Sequence, residues 1–292
     1  MKFSIITINY NNCEGLKKTL ESVLSQTWMD YEYIIIDGGS TDGSREVIES
    51  VSDHLAYWCS EPDKGIYNAM NKGTHHATGE YCLYLNSGDC LYDKNIISKV
   101  AEDNYNEDIL SGYAIRKDNG KLLREYDLSV VKQLILNAIN HQATFVKRSI
   151  LLEHPYREDY KMVSDWLLWA ELLIKNNYSF KILNYIIAIQ DMDGISYTQI
   201  KKHDIERKRA FQEVFGKRMA ETLPIIYRDM DVPSVKKLLY MEQHAYGFFV
   251  FCHRLISVLV KFIDFFSKDY SFKEFERTFF IRKFLNGKQN NQ

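Results

Sequence analysis

Three short apolar runs in the first ninety residues each end on small polar or acidic residues. The runs and the residues that follow them are 3–8 with Asn9, 33–36 with Asp37, and 81–85 with Asn86-Ser87-Gly88-Asp89. Continuous apolar runs of this length are typical of buried strands. Open α/β sheets bind their ligands at the carboxyl ends of such strands. The sequence therefore predicts that these polar residues meet at one functional edge of a sheet.

Helical stripes separate the predicted strands. Apolar residues recur at helical spacing in three places: Leu16, Leu20, Val23 and Leu24; Val47, Ile48 and Val51; and Ile66, Ala69, Met70 and Gly73. A further strand is predicted at 56–59, between the second and third stripes. Alternation of strands and helices predicts an α/β fold with a parallel sheet and helices on both faces.

The pattern changes after residue 108. Two β-like runs flank Asp118-Asn119-Gly120, which is a hairpin signal, so we expect the later part of the sheet to be mixed. A helix is predicted at 165–175 and a strand at 180–189. No strand signal follows residue 198, and we place a domain boundary near residue 200.

Charge and cysteine content exclude several classes of protein. The chain has 37 basic and 39 acidic residues, which gives no indication of nucleic-acid binding. Five scattered cysteines without a CxxC pair favour neither a zinc site nor a disulfide framework. The first residues are too short an apolar run for a secretory signal, so we expect a cytoplasmic protein.

The polar strand ends permit both ordinary and chemical interpretations. Asp37-Gly38-Gly39-Ser40-Thr41-Asp42-Gly43 has the composition of a common strand-to-helix turn, but its carboxylates and backbone N–H groups could also hold a nucleotide. Asp89 could cap the next turn, or it could bind Mg²⁺, which needs few protein carboxylates when a substrate phosphate is present. These residues alone leave both alternatives open.

Five segments in order resemble the family-2 glycosyltransferases, which are inverting enzymes with the GT-A fold. The segments are Ser4-Ile5-Ile6-Thr7-Ile8-Asn9-Tyr10-Asn11, Ser22-Val23-Leu24-Ser25-Gln26-Thr27, the 37–43 turn, 60–73 with Asp63-Lys64-Gly65, and 77–80 leading into Leu85-Asn86-Ser87-Gly88-Asp89. The resemblance covers roughly residues 3–200. It implies a Rossmann-like, mainly parallel sheet and transfer of a sugar from a nucleoside diphosphate.

The resemblance also implies roles for individual residues. Asp89 matches the last residue of the family's DxD-type motif, which ligates Mg²⁺ or Mn²⁺ across the donor diphosphate. Asp37 matches the acid that contacts the nucleotide base. The full set of implied nucleotide- and donor-binding residues is Thr7, Asn9, Asp37, Asp63, Lys64, Asn86, His141 and Gln142.

Asp165 is the best candidate for the catalytic base. Inverting transfer needs a base opposite the leaving group to take the proton of the acceptor hydroxyl. Asp165 matches the family's ED-type catalytic position, although a carboxylate at the start of a helix is also favoured by the helix dipole. The chain departs from the family at Gly88 and Ser164, where many members carry an acid. The loop from Asp191 to Ser196 resembles a Gly-Ile-Ser lid, with an ordinary surface turn as the alternative.

The C-terminal region, residues 201–292, is predicted to be helical, basic and rich in phenylalanine. From residue 247 onward a polar stripe recurs at His253, Ser257, Lys261, Asp264 and Lys268. Arg254, Lys261 and Asp264 would lie inside a membrane span over 247–266, which argues against one. Such a helix packs on the catalytic domain, on a sister subunit or on the membrane surface, where basic aromatic helices bind. The sequence leaves these three alternatives open.

The expected function is metal-dependent inverting transfer of a sugar, with UDP as the expected nucleotide. The expected acceptor is a hydroxyl of a surface polysaccharide or a lipid-linked oligosaccharide. Two alternatives stay open at this point. A glycoside hydrolase also uses paired carboxylates but needs no nucleotide site, and Gly88 and Ser164 allow a catalytically silent protein that binds nucleotide sugars or assembles with others.

Overall fold

A computed structural model describes residues 2–103, 105–123, 134–135, 138–192 and 199–230, with the backbone alone for 224–230. Its strands form one eight-stranded sheet in the order β3-β2-β1-β4-β7-β6-β8-β5. The strands are β1 Phe3–Asn9, β2 Tyr31–Asp37, β3 Tyr57–Ser60, β4 Tyr81–Asn86, β5 Cys90–Leu91, β6 Ile109–Arg116, β7 Thr144–Lys147 and β8 Phe180–Gln190.

Helices connect and cover the strands. The α-helices are α1 Cys13–Leu24, α2 Ser44–Ser50, α3 Ile66–His76, α4 Ile96–Glu102, α5 Arg148–Glu153, α6 Ser164–Ala170 and α7 Ile200–Met230. Helix α6 continues as a π-helical turn at Glu171–Lys175, and α7 is kinked at Gly216, where φ is 74°. Short 3₁₀ turns lie at Ser52–His54 and His141–Ala143.

The first four strands are parallel and in a register that aligns their carboxyl ends. Asn9 pairs with Asp37 across β1 and β2, and Ile8 pairs with Asn86 across β1 and β4. Asp37 in turn pairs with Ser60 across β2 and β3. The predicted convergence of these strand ends on one polar edge is confirmed.

Each face of the sheet carries its own apolar core because side chains alternate along each strand. Ile5 and Ile35 pack with Leu16 of α1 in one core, whereas Ile6 and Ile34 pack with Met70 of α3 in the other. The prediction of helices on both faces is confirmed. The sheet and the helices on its two faces form an α/β fold.

The second half of the sheet is mixed, as predicted. Strand β7 is antiparallel to both β4 and β6, while β8 is parallel to β6. The predicted hairpin turn follows β6, and an isolated antiparallel bridge joins Ile115 to Leu122. The two-residue strand β5, which pairs with β8 at the sheet edge, is not predicted by the sequence pattern.

Helix α7 begins within the compact unit formed by residues 1–227. The ring of Phe211 on α7 stacks on that of Trp166 on α6, with 4.7 Å between centroids. The predicted division at residue 200 stays a prediction of domain organisation, and 247–284 lies outside the described residues. Among the helices that the structure describes, none combines the length and the apolar character that a membrane crossing needs.

A buried carboxylate joins the amino ends of the strands. Glu32, at the start of β2, accepts hydrogen bonds from Ser4 Oγ, Thr78 N, Thr78 Oγ1 and Gly79 N. Burial raises the pKa of Glu32, but these four donors outweigh it and hold the pKa below its ordinary value of 4.5. The ionised carboxylate therefore stabilises the junction of β1, β2 and the turn before β4.

We predict that Glu32→Gln lowers the free energy of unfolding by about 1–3 kcal/mol at neutral pH, because an amide cannot accept from all four donors. Since the folded pKa is lowered, the stabilisation by Glu32 is complete above about pH 4.5 and is lost as the pH falls through the folded value. Urea unfolding across this range should show a weaker acid dependence in the variant. Glu21→Gln, at an exposed position of α1, is the control, and an equal loss in both variants would contradict the prediction.

Candidate active site at the carboxyl ends of the strands

Asp37 organises the first part of the polar edge. Its Oδ1 accepts from Asn9 Nδ2 at 2.7 Å and from Ser40 Oγ at 2.5 Å. Its Oδ2 accepts from Ser40 N at 2.9 Å and from Ser60 Oγ at 2.6 Å. These four bonds occupy both lone pairs of each oxygen, and the side chain is fully buried.

The hydrogen bonds keep Asp37 ionised despite its burial. Burial alone would raise the pKa, but the hydroxyls of Ser40 and Ser60, the Ser40 N–H and the Asn9 amide hold it below the ordinary 3.8. Asp37 therefore fixes the turn after β2 as an anion. A ligand can reach this carboxylate only if one of the protein donors moves away.

Asp63 and Tyr10 flank the same turn at Gly38. A Cβ atom at Gly38 would lie 2.8 Å from Asp63 Oδ2 and 3.1 Å from Tyr10 Cδ2, so only glycine allows both to approach. Asp63 is partly exposed, and the Tyr10 ring is 67% exposed. The edge thus presents an accessible carboxylate and an accessible aromatic ring beside the buried Asp37.

A chain of hydrogen bonds connects the end of β4 to the start of α6. Asn86 Nδ2 lies 3.2 Å from His141 Nε2, and His141 Nδ1 lies 3.4 Å from Asp165 Oδ2. The other oxygen of Asp165 accepts from Tyr67 Oη of α3 at 3.0 Å. Residues from β4, α3, α6 and the turn before β7 therefore hold one carboxylate at the edge.

This arrangement sets the tautomer of His141 and keeps Asp165 ionised. An amide N–H can only donate, so Asn86 makes Nε2 of the imidazole an acceptor, and Nδ1–H then faces Asp165. Burial raises the pKa of Asp165, but the hydrogen bonds from His141, the Trp166 N–H and Tyr67 bring it below its ordinary value. Asp165 is thus an ionised, oriented carboxylate at neutral pH.

Thr19 of α1 shapes the loop that carries Asp89. The Thr19 hydroxyl accepts from Gly88 N at 2.9 Å and donates to the Asp89 carbonyl at 2.7 Å. Asn12, the N-cap of α1, donates its Nδ2–H to Ser87 O at 2.8 Å. Helix α1 therefore fixes the loop after β4 through both its first and its second turn.

Asp89 is a buried carboxylate with few donors. It is 3% exposed, its Oδ1 accepts from Asp191 N at 2.9 Å, and Gln142 also bonds its carboxylate. Burial raises the pKa of Asp89 to about 6, against the lowering effects of the Asp191 N–H, His141 and Gln142. Its charge is therefore incompletely compensated by the protein.

Two residues that bond Asp89 have buried side-chain oxygens without partners in the described chain: the Asn86 carbonyl accepts from Asp89 N, and Gln142 bonds the Asp89 carboxylate. Asn86 Oδ1 and Gln142 Oε1 are buried and accept no hydrogen bond within the part of the chain that the structure describes. Carboxylate and amide oxygens are ligands that Mg²⁺ and Mn²⁺ prefer. The residues present therefore fit a hard divalent cation, although the described residues contain no group of three His, Cys, Asp or Glu that could hold one alone.

The structure brings most of the predicted site residues together. Asn9, Asp37, Asp63, Asn86, Asp89, His141, Gln142 and Asp165 lie in the three groups of contacts described above. Thr7 is not brought to the edge: it is fully buried in β1, and its hydroxyl bonds Tyr33 Oη at 2.9 Å. Lys64 is exposed, and its backbone carbonyl accepts from Lys161 Nζ.

The sequence analysis did not predict the roles of several residues at the site. Ser40, Ser60 and Tyr67 lie within the quoted segments, but nothing in their spacing shows that they bond a carboxylate. Thr19 lies on the buried face of α1, a position that the sequence pattern assigns to the hydrophobic core. Residues 193–196 of the predicted lid lie outside the described residues.

The comparisons with known proteins agree with this architecture. The sequence model described as "Glycosyl transferase family 2" matches residues 4–151, slightly more than half of the chain. The chain belongs to this family. It is a glycosyltransferase with a GT-A fold, as the strand-end motifs predicted.

Individual relatives share the sheet domain. A PGL/p-HBAD biosynthesis glycosyltransferase of Mycobacterium bovis is 28% identical over 214 residues, which cover 70% of this chain and 83% of that protein. The structure is similar to that of Staphylococcus aureus TarS 1–349 in complex with UDP-GlcNAc, with a TM-score of 0.58, 16% identity, and 74% and 68% of the two chains covered. It is also similar to a mannosyltransferase from Pyrobaculum calidifontis in complex with GDP-Man and Mn²⁺, with a TM-score of 0.60, 14% identity, and 89% and 80% covered.

Proposed function

We propose that this glycosyltransferase is metal-dependent and inverting, and that it moves a hexose or hexose derivative from a UDP-sugar to an acceptor hydroxyl. The observation that carries the proposal is the carboxylate of Asp165, held ionised by His141 and Tyr67 at the edge where Asp89 lies. In this proposal one carboxylate takes the proton, and a second, separate one serves the donor.

Asp165 acts as the general base. It takes the proton of the acceptor hydroxyl as that oxygen bonds the anomeric carbon and the bond from carbon to the diphosphate oxygen breaks. The electron pair of the broken bond leaves with the nucleoside diphosphate. Single displacement of this kind inverts the anomeric configuration, and a positioned base contributes about 10²–10⁴-fold to the rate.

His141 keeps Asp165 oriented. Its Nδ1–H faces one oxygen and Tyr67 donates to the other, so the carboxylate cannot rotate freely. Because Asn86 bonds the second imidazole nitrogen, a change at the end of β4 is transmitted to the base through His141. This is a positioning role for His141.

Asp89, with the oxygens of Asn86 and Gln142, would hold Mg²⁺ or Mn²⁺. A cation bound there neutralises the charge that grows on the leaving diphosphate. The buried, incompletely compensated Asp89 and the two amide oxygens without partners support this assignment. The presence of Mn²⁺ in the Pyrobaculum mannosyltransferase complex is consistent with it.

Asp63 and Tyr10 are the groups available to the nucleotide base. Tyr10 offers an exposed ring for stacking, and Asp63 Oδ2 lies beside Gly38. Asp37 supports this turn through its four donors rather than through a free oxygen. Uridine as the nucleoside is taken from the resemblance, and the UDP-GlcNAc complex of TarS supports it.

The acceptor is proposed to be a hydroxyl of a surface polysaccharide or a lipid-linked oligosaccharide. The name of the mycobacterial relative, which assigns it to PGL/p-HBAD biosynthesis, supports an acceptor outside central metabolism. Association of the C-terminal region with a membrane surface or a sister subunit stays a prediction.

The alternative to the proposed transferase is a catalytically silent protein that binds nucleotide sugars. The ionised Asp165 argues against this alternative.

We predict different effects for the two carboxylates near Gly38. Asp63→Asn should weaken UDP binding in calorimetric titrations and leave the unfolding midpoint nearly unchanged. Asp37→Asn should lower the free energy of unfolding by about 1–3 kcal/mol, because an amide cannot accept from four donors. Weakened nucleotide binding in Asp37→Asn without loss of stability would instead indicate direct contact between Asp37 and the base.

We predict that one donor releases its nucleoside diphosphate and that Asp165→Asn abolishes this release. Purified protein would receive UDP-glucose, UDP-galactose, their N-acetyl forms or GDP-mannose with Mn²⁺, with and without a bacterial lipid extract as acceptor. Asp165→Asn should lose about 10²–10⁴-fold in kcat and retain nucleotide binding. Asp89→Ala and EDTA should also abolish release.

Asp159→Asn is the matched control, because Asp159 is an exposed carboxylate a few residues before α6 that pairs with Arg157. It should keep full activity. Metal-dependent nucleotide binding without release from any donor would favour the silent binder. Full release in Asp165→Asn would exclude Asp165 as the base.

A further inference from the structure

The conformation of Gly88 explains why this chain has no acid at that position. Gly88 has φ of 104°, a region that residues with a side chain rarely adopt. A Cβ atom there would lie 3.1 Å from Asp191 Oδ2 and 3.2 Å from Asp191 Cβ. The side chain of Asp191 therefore occupies the space into which a side chain at position 88 would point.

The main chain also ties Asp191 to Asp89. Asp191 N donates to Asp89 Oδ1 at 2.9 Å, across a separation of 102 residues in sequence. Asp191 directly follows β8, whose pairing with β5 holds Cys90 opposite Ile189. Two independent contacts thus bring the end of β8 to the Asp89 loop.

We propose that Asp191 supplies the second carboxylate of the divalent cation site, in place of an acid at position 88. This inference rests on the proposed function, since it assigns a further ligand to the cation that Asp89 would hold. The acidic side chain comes from the end of β8 and enters the site beside Gly88. The site then has carboxylates from two distant parts of the chain.

An unpartnered oxygen points to a cation at this place independently. Gln142 is 3% exposed and its side chain is hydrogen-bonded to Asp89, yet its Oε1 has no partner among the described residues. Leaving a buried amide oxygen unpaired destabilises the folded protein. A cation beside Asp89 would satisfy this oxygen as well as both carboxylates.

Lys117 balances Asp191 when no cation is bound. Its Nζ lies 2.5 Å from Asp191 Oδ2, and both side chains are partly exposed. Lys117 follows β6, next to β8 in the sheet. A divalent cation would compete with Lys117 for Asp191.

The test measures Mn²⁺ binding to the UDP-saturated full chain. Binding is detected as loss of the free Mn²⁺ signal in electron paramagnetic resonance. Asp191→Asn should weaken Mn²⁺ binding by about 10–100-fold, because the loss of even an outer-shell partner of a metal has an effect of this size. Asp191→Glu, which keeps a carboxylate, should restore most of it. Asp103→Asn, which removes an exposed carboxylate that bonds Tyr105 and Tyr185, is the control and should bind as the parent does.

The outcomes separate this inference from the proposed function. Loss of Mn²⁺ binding in Asp89→Ala with unchanged binding in Asp191→Asn would overturn the inference and leave the proposed site intact. Unchanged binding in Asp89→Ala would overturn the proposed metal site itself. UDP binding measured in EDTA should be equal in all variants.

A second measurement needs no variant. Fe²⁺ in place of Mn²⁺, with ascorbate and hydrogen peroxide, cleaves a chain close to the bound metal, and mass spectrometry locates the cuts. Cuts near both Asp89 and Asp191 are expected, and Mn²⁺ should suppress both. Cuts near Asp89 without cuts near Asp191 would overturn the inference even if Asp191→Asn did not fold.

Discussion

The site depends on the parallel register of β1, β2 and β4. Because Asn9 pairs with Asp37 and Ile8 with Asn86, three polar strand ends lie side by side at one edge. A shift by one residue would turn each strand's side chains to the opposite face and would bury or displace these polar groups. Glu32 secures the same strands at their amino ends. The positions of the binding groups therefore follow from how the sheet is held together.

Three carboxylates at this edge differ because their surroundings differ. Asp37 accepts four hydrogen bonds and is a structural anion, while the two oxygens of Asp165 are held by His141 and Tyr67. Asp89 is buried with few donors, so it is suited to a cation rather than to the protein's own N–H groups. The roles proposed for the three carboxylates thus follow the number of donors around each.

The sequence could predict the first half of the fold because its signals are local. Apolar runs, helical stripes and the polar residues after 8, 36 and 85 are read directly from the chain, and the motif order identified the family. The partners of the carboxylates could not be predicted, since Tyr67 and Asp165 are 98 residues apart and meet only through packing. Thr7, a position matched to the motif, lies in the core with its hydroxyl bonded to Tyr33, and its contact with the nucleotide stays a prediction. Asp191 beside Gly88 depends on a left-handed backbone conformation that no local pattern indicates.

The central claim is that nucleotide, cation and base meet at this one edge. The most direct measurement is an anomalous difference map from crystals of the protein soaked with Mn²⁺ and UDP. The account predicts one Mn²⁺ peak that contacts Asp89 and the diphosphate, with the uracil near Asp63 and Tyr10 and with Asp165 facing the open side of the diphosphate. UDP bound away from the ends of β1, β2 and β4, or a Mn²⁺ peak on the diphosphate without contact to Asp89, would contradict it.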